Sequence, residues 1–172
     1  MEDFKGYKMK LAVAYGSHLP VLMKLLSITD GDVLELGTGL FSTPYLHWAC
    51  FEKRRLVSYE NNPQYYRYNK GYTYGNPLHE MYLIDSWDQA DIERPWDVAL
   101  IDHSPEMRRQ EEAKRLANFA KYIVIHDTQP ATEHEYNYHE IYPLFKYRYD
   151  FVKHPANTSV LSNLVDLADL DI

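Results

Sequence analysis

The chain has 172 residues, one domain's worth by length, and its 45% hydrophobic and 15% aromatic content supports a core, which excludes disorder, fibrous repeats and a two-domain layout. Eighteen Lys and Arg against 25 Asp and Glu leave a formal charge of -7, a field that repels phosphate backbones and anionic membranes, so no nucleic acid and no membrane is expected as partner. The single cysteine, Cys50, makes no intramolecular disulfide, and neither a leader nor an apolar run of about 18 residues is legible, so a cytoplasmic protein is expected.

Leu19, Leu22, Met23 and Leu26 recur at helical spacing until Thr29-Asp30-Gly31 breaks the pattern, which predicts a helix ahead of the first strand. Asp32 to Gly37 (DVLELG) is a short apolar strand stopped by glycine, and Ser42 to Phe51 reads as a helix. Arg55 to Glu60 is a second strand, Asn62-Pro63 a helix entrance, and Glu80 to Asp85 a third strand. Trp96 to Asp102 reads as a buried strand ending on an acid, and Ser104-Pro105 offers the N-cap and first turn of a helix to Ala117. Lys121 to Asp127 is the fifth strand. Thr132 with Glu135 forms a capping-box pattern for a helix that Pro143 ends, and Tyr147 to Phe151 pairs with Ser159 to Leu161 as a hairpin.

Five strands alternating with helices require parallel pairing and right-handed crossovers. The expected fold is therefore α/β: a doubly wound, mostly parallel Rossmann-like sheet with helices on both faces and a C-terminal antiparallel hairpin. Residues 1–163 are expected to form one domain, and 164–172 (LVDLADLDI) read as an acidic C-terminal tail or a frayed helix.

In such sheets a ligand sits beyond the carboxyl ends of the strands. Glu35, Glu60, Asp85, Asp102 and Asp127 stand in or at the ends of the five predicted strands, which gathers five carboxylates round one crevice suited to hydroxyls, amines, cationic ligands or a metal ion. Gly37-Thr38-Gly39 brings backbone close to a ligand and aims amides at its negative group, although a tight turn alone would use the same glycines. Glu60, 21 residues past Gly39, stands where an acid accepts both hydrogen bonds of a ribose diol. Together these point to an adenosine cofactor, either NAD or S-adenosylmethionine. Ser42 stands where dinucleotide folds place a third glycine, and Glu35 favours a ligand with a positive end; both weigh towards S-adenosylmethionine.

Through Glu35-Leu36-Gly37-Thr38-Gly39, Glu60, Asp85-Ser86 and Asp102, the chain resembles the class I S-adenosylmethionine-dependent methyltransferases over roughly residues 17–163. It is most similar to the catechol and caffeoyl-coenzyme A O-methyltransferase branch, and to small bacterial and viral relatives with Asp-His-Ser-Pro and His-Asp-Thr patterns. The resemblance implies that Gly37, Gly39 and Ser42 cradle the methionine part, that Glu60 holds the ribose, and that Asp85 with Ser86 meets the adenine. Trp87 would stack on that adenine or fill the core. Ser17, ahead of the first helix, would bond the cofactor carboxylate or serve as an N-cap.

The catechol branch holds magnesium on an Asp after the fourth strand and an Asp-Asn pair after the fifth. Asp102 and Asp127 match, which implies a Mg2+ site, whereas Thr128 replaces the Asn. His103 and His126 flank the two aspartates. His103 is the preferred general base, because strand alternation points His126 away from Asp127. The run from Arg108 to Arg115 reads as a solvated helix face with Arg108–Glu112 and Glu111–Arg115 pairs. The sixteen tyrosines suit an acceptor pocket, helix-sheet packing or an oligomer interface. The expected activity is S-adenosylmethionine-dependent O-methylation of a small molecule or sugar. A cofactor-binding module without catalysis and an NAD-dependent oxidoreductase are the alternatives.

Overall fold

The computed structural model describes residues 12–172. A 3-10 turn (Val13–Gly16) leads into helix α1 (Leu19–Ser27), whose Val21, Leu22, Leu25 and Leu26 recur at helical spacing and are buried. Seven strands follow, β1 (Val33–Leu36), β2 (Leu56–Glu60), β3 (His79–Leu83), β4 (Trp96–Ile101), β5 (Ala120–His126), β6 (Tyr147–Phe151) and β7 (Thr158–Ser162). Helices α2 (Ser42–Cys50), α3 (Pro63–Asn69) and α4 (Arg109–Leu116) lie between them, with two single-turn helices, α5 (Pro130–Glu133) and α6 (Tyr138–Ile141), ahead of the hairpin.

The sheet order is β3-β2-β1-β4-β5-β7-β6. The first five strands pair in parallel, and β7 runs antiparallel to both β5 and β6. The expected doubly wound sheet with its antiparallel C-terminal pair is the observed one. Successive residues of one strand feed opposite cores: Leu34, Ala99, Ile101, Ile123 and Ile125 pack on one face, Val33, Val98, Leu100 and Val124 on the other. Burial on both faces is why these strands read as continuous apolar runs rather than alternating ones. No helix among the described residues is long and apolar enough to cross a membrane.

Four local expectations are corrected. Ser104 is not an N-cap: its hydroxyl donates to the Glu106 carboxylate, and a 3-10 turn (Glu106–Arg108) precedes α4. Thr132 caps nothing either. Its hydroxyl donates to the carbonyls of Asp127 and Gln129, and Asn137, at φ 58°, breaks the expected single helix into α5 and α6. The α4 face is not simply solvated, since Arg109 and Glu112 are buried and Arg115 pairs with Glu93 instead of Glu111. Finally, 164–172 is not a free acidic tail. Leu167 and Leu170, 4% and 7% exposed, join the core that holds α1, because their spacing brings both onto the same side while the aspartates face outward.

Candidate functional site

The chain leaves β1 for β2 and β3 on one side and then crosses to β4 on the other, so the carboxyl ends of β1 and β4 flank the topological switch point. A cavity of about 530 Å³ opens there. Its walls come from the Gly37–Ser42 turn after β1, from Glu60, Asn61 and Asn62 at the end of β2, from Asp102 after β4, and from His126 and Asp127 at the end of β5.

Gly37 has φ +91°, and a Cβ there would lie 2.6 Å from both the Asp102 carbonyl oxygen and the His103 Cα. Only glycine lets the two loops pass this closely. A Cβ on Gly39 would meet Ser42 Oγ at 2.9 Å, so the turn keeps its backbone open towards the cavity. Beneath it lies a chain of hydrogen bonds. The Gly39 N–H donates to Thr43 Oγ1 at 2.9 Å, Thr43 donates to Glu35 Oε1 at 2.8 Å, and Ser58 donates to Glu35 Oε2 at 2.6 Å.

Glu35 is therefore a support for the turn and not a wall of the cavity, which corrects its expected place among the ligand contacts. It lies inside β1, a pleat short of the strand's end, and burial pushes its carboxyl up to about 7 against the hydrogen bonds that favour its charge.

Glu60 lines the cavity, and all four acceptor positions of its carboxylate are used. Thr38 donates to Oε2 through its N–H at 2.7 Å and its hydroxyl at 2.9 Å, and the Asn61 and Asn62 N–H groups donate to Oε1 at 2.9 and 2.7 Å. Burial raises its carboxyl, and these bonds oppose the shift. A diol that takes Glu60 must share or displace the Thr38 hydroxyl, the only one of the four donors that can turn aside without moving the backbone.

The acidic edge is organised by a residue absent from the expected set. Arg109 of α4 is buried and reaches across the ends of two strands, with Nη2 3.1 Å from Asp102 Oδ1 and Nη1 3.2 Å from Asp127 Oδ2. It also donates to the carbonyls of His103 and His126. Burial alone would raise the Asp102 carboxyl, but His126 and Arg109 outweigh it and hold it well below the usual carboxylate range.

His126 and His103 exchange their expected places. His126 Nδ1 is 3.2 Å from Asp102 Oδ1 and 3.7 Å from Asp127 Oδ2. Alternation fails here because Asp127 leaves the strand at φ 59°, which turns its side chain back towards the histidine. Burial would lower the His126 imidazole, yet the neighbouring carboxylates raise it overall. His103 borders the cavity, but its side chain is fully buried, with Nε2 3.1 Å from Glu112 and its ring stacked on Trp87 at 4.0 Å between centroids. It is a core residue rather than the general base.

Ser17 does not reach the cavity. Its hydroxyl lies 2.9 Å from the Ala14 carbonyl, 2.7 Å from that of Ala156 and 2.8 Å from His126 Nε2. Both carbonyls can only accept, so the one hydroxyl hydrogen goes to them, and His126 Nε2–H donates to Ser17. Ser17 fixes the His126 ring instead of holding a cofactor carboxylate. Asp85 is exposed, Ser86 forms a capping box with Gln89, and Trp87 is buried with its N–H on the Ser104 carbonyl. None of the three lines the cavity, whose walls come from the ends of β1, β2, β4 and β5 while β3 lies beyond β2 at the sheet's edge.

A magnesium ion on Asp102 and Asp127 does not fit this geometry. The cation between those carboxylates is Arg109, and the Thr128 hydroxyl that replaces an amide oxygen is buried and accepts from Ser159. The Gly37 and Gly39 cradle with Glu60 beside it does fit an adenosine cofactor. Arg109 and Asn62 were legible only as part of a charged run and a helix entrance, and Asn61 not at all. His18 follows Ser17 in sequence, and nothing in the spacing marked it.

No family model matches the chain, and no curated protein matches it. Solved structures do. The O-methyltransferase TomG from Streptomyces achromogenes, in complex with S-adenosylmethionine, superposes with a TM-score of 0.65 at 16% identity, covering 91% of this chain and 82% of that one. An O-methyltransferase from Bacillus cereus, in complex with S-adenosylhomocysteine, gives 0.64 at 16% identity, covering 90% and 83%. The hMettl16 catalytic domain, in complex with a 3'UTR hairpin, gives 0.65 at 9% identity, covering 92% and 72%. The chain shares the fold of these methyltransferases.

Proposed function

We propose that the chain binds S-adenosylmethionine in this cavity and moves its methyl group to an oxygen of a small polar acceptor, with sugar hydroxyls among the groups the acidic edge suits. The observation that carries the reading is that the Gly37–Ser42 turn and Glu60 line the same cavity as Asp102, His126 and Asp127. When bound, the cofactor supplies a methyl on an activated sulfonium, so the protein's share is positioning and the handling of one proton.

In this reading Glu60 orients the ribose hydroxyls, and the open backbone of Gly37 and Gly39 admits the methionine part. Asp102 stays ionised beside Arg109 and orients the acceptor together with His126. Asp127, the more exposed of the two aspartates at 30% of its side chain, receives the acceptor proton while Arg109 holds it in place. The net charge of -7 argues for a small acceptor rather than a nucleic acid. A reducing cytoplasm suits the buried, unpaired Cys50.

The test is to incubate the protein with methyl-labelled cofactor and a panel of polyhydroxylated and phenolic acceptors and to follow labelled product. Wild type should label at least one acceptor class, and Asp127→Asn should lose transfer while still binding S-adenosylhomocysteine. Full turnover by Asp127→Asn would remove that carboxylate from the proton's path.

A further inference from the structure

His18 is 1% exposed at the start of α1, and neither of its ring nitrogens has a hydrogen-bond partner among the described residues. A buried imidazole left so is unfavourable to the fold, and burial holds it neutral. Its Nδ1 faces Asp102 Oδ2 across 4.0 Å, too far for a hydrogen bond, and its ring meets that of His126 edge-on with centroids 4.8 Å apart. One ligand atom each from His18, Asp102 and His126 lies within 4.8 Å of the others, the only such group among the described residues.

We propose that His18, Asp102 and His126 form a binding site for a divalent transition-metal ion of the zinc class, open on its remaining side to the acceptor edge of the cavity. Two imidazoles and one carboxylate suit Zn2+, Co2+, Ni2+ or Fe2+, whereas magnesium prefers an oxygen set. Metal–ligand distances of about 2.0–2.2 Å need ligand atoms roughly 3–4 Å apart, so the group closes on an ion by shifts of less than about 1 Å.

The surroundings are those of a prepared ligand set. Ser17 accepts from His126 Nε2–H, which fixes the ring with Nδ1–H donating to Asp102 Oδ1 at 3.2 Å, so an ion that binds here displaces that one proton while Ser17 acts as the outer partner of a ligating histidine. Arg109 takes Asp102 Oδ1 and leaves Oδ2 facing His18. Asp127 offsets the guanidinium, so a bound dication, partly balanced by Asp102, leaves the cluster with a single net positive charge.

The proposal deepens the methyl-transfer reading by naming what stands beside the acceptor, and its test needs no acceptor. Untagged protein, dialysed against chelator, is titrated with Co2+ followed by visible absorption, and separately dialysed against Zn2+ with the bound metal counted. One ion per chain is expected for wild type, with affinity reduced at least about tenfold in His18→Asn and in His126→Gln, each confirmed as folded by circular dichroism.

His134→Asn, which breaks the separate His134–His139 ring pair, should leave the count at one. Absence of saturable Zn2+ and Co2+ binding in wild type, or equal binding in both site variants, would overturn the proposal. S-adenosylhomocysteine titrated into the metal-free protein reports the cofactor reading separately, so either can fail alone.

Discussion

Arg109 Nη2 stands 3.1 Å from Asp102 Oδ1, and through the same guanidinium the ends of β4 and β5 are tied together. The arginine is buried, so removing it strands two carboxylates and two carbonyl oxygens. Arg109→Met should cost about 3–5 kcal/mol in urea unfolding. Arg109→Lys should recover only part of that, because an ammonium cannot reproduce the fork. Wild-type stability in Arg109→Met would show that the pairs add nothing to the fold.

Gly37→Ala places a methyl against the Asp102 carbonyl at a backbone angle that L side chains avoid. The loops must separate, and we expect a loss of about 1–3 kcal/mol together with cofactor binding. Retained stability and affinity would show that the two loops move apart freely.

How much of this was readable before the structure depended on the kind of signal. The strands were legible because Val98 to Ile101 and Ile123 to Ile125 are buried on both sides, and an apolar run bounded by turns records that directly. Glu60, Asp102 and Asp127 were legible because strand ends are where this topology places ligands. The roles of His103 and His126 were not. Each neighbours an aspartate, and which ring enters the cavity depends on a left-handed residue at Asp127 and on partners at Glu112 and Ser17, all distant in sequence or invisible to alternation. Arg109 was hidden for a related reason, since a run of mixed charge gives no sign of which member turns inward. The docking of Leu167 and Leu170 rests on a groove that only the assembled sheet creates.

Glu35 gives a pH dependence. Its ordinary value of 4.5 rises to about 7 in the fold, so between those limits the folded chain holds a proton that the unfolded chain has released. Its contribution to stability is therefore full below pH 4.5 and is lost as pH rises through 7. Glu35→Gln cannot titrate. The stability of wild type minus that of the variant should fall from pH 4.5 to 7, by up to about 1.4 kcal/mol per pH unit, and level above. A flat difference across that window would mean that Glu35 is ionised throughout.

A chain ending at Asn163 loses Leu167 and Leu170 from the core. Each buried leucine is worth about 1.5–3 kcal/mol, an upper range because the unfolded chain is itself partly compact. We expect a loss of roughly 3 kcal/mol and a melting temperature lower by roughly 6–12 °C. An unchanged melting temperature would mean that the segment rests on the body without holding it.

Calorimetric titration with S-adenosylmethionine, S-adenosylhomocysteine and NAD, into wild type and Glu60→Ala, tests the central reading most directly. One equivalent of either sulfur nucleoside should bind wild type, NAD should not compete, and Glu60→Ala should lose or greatly weaken the binding. No binding of either sulfur nucleoside to wild type, preference for NAD, or full affinity in Glu60→Ala would contradict the account.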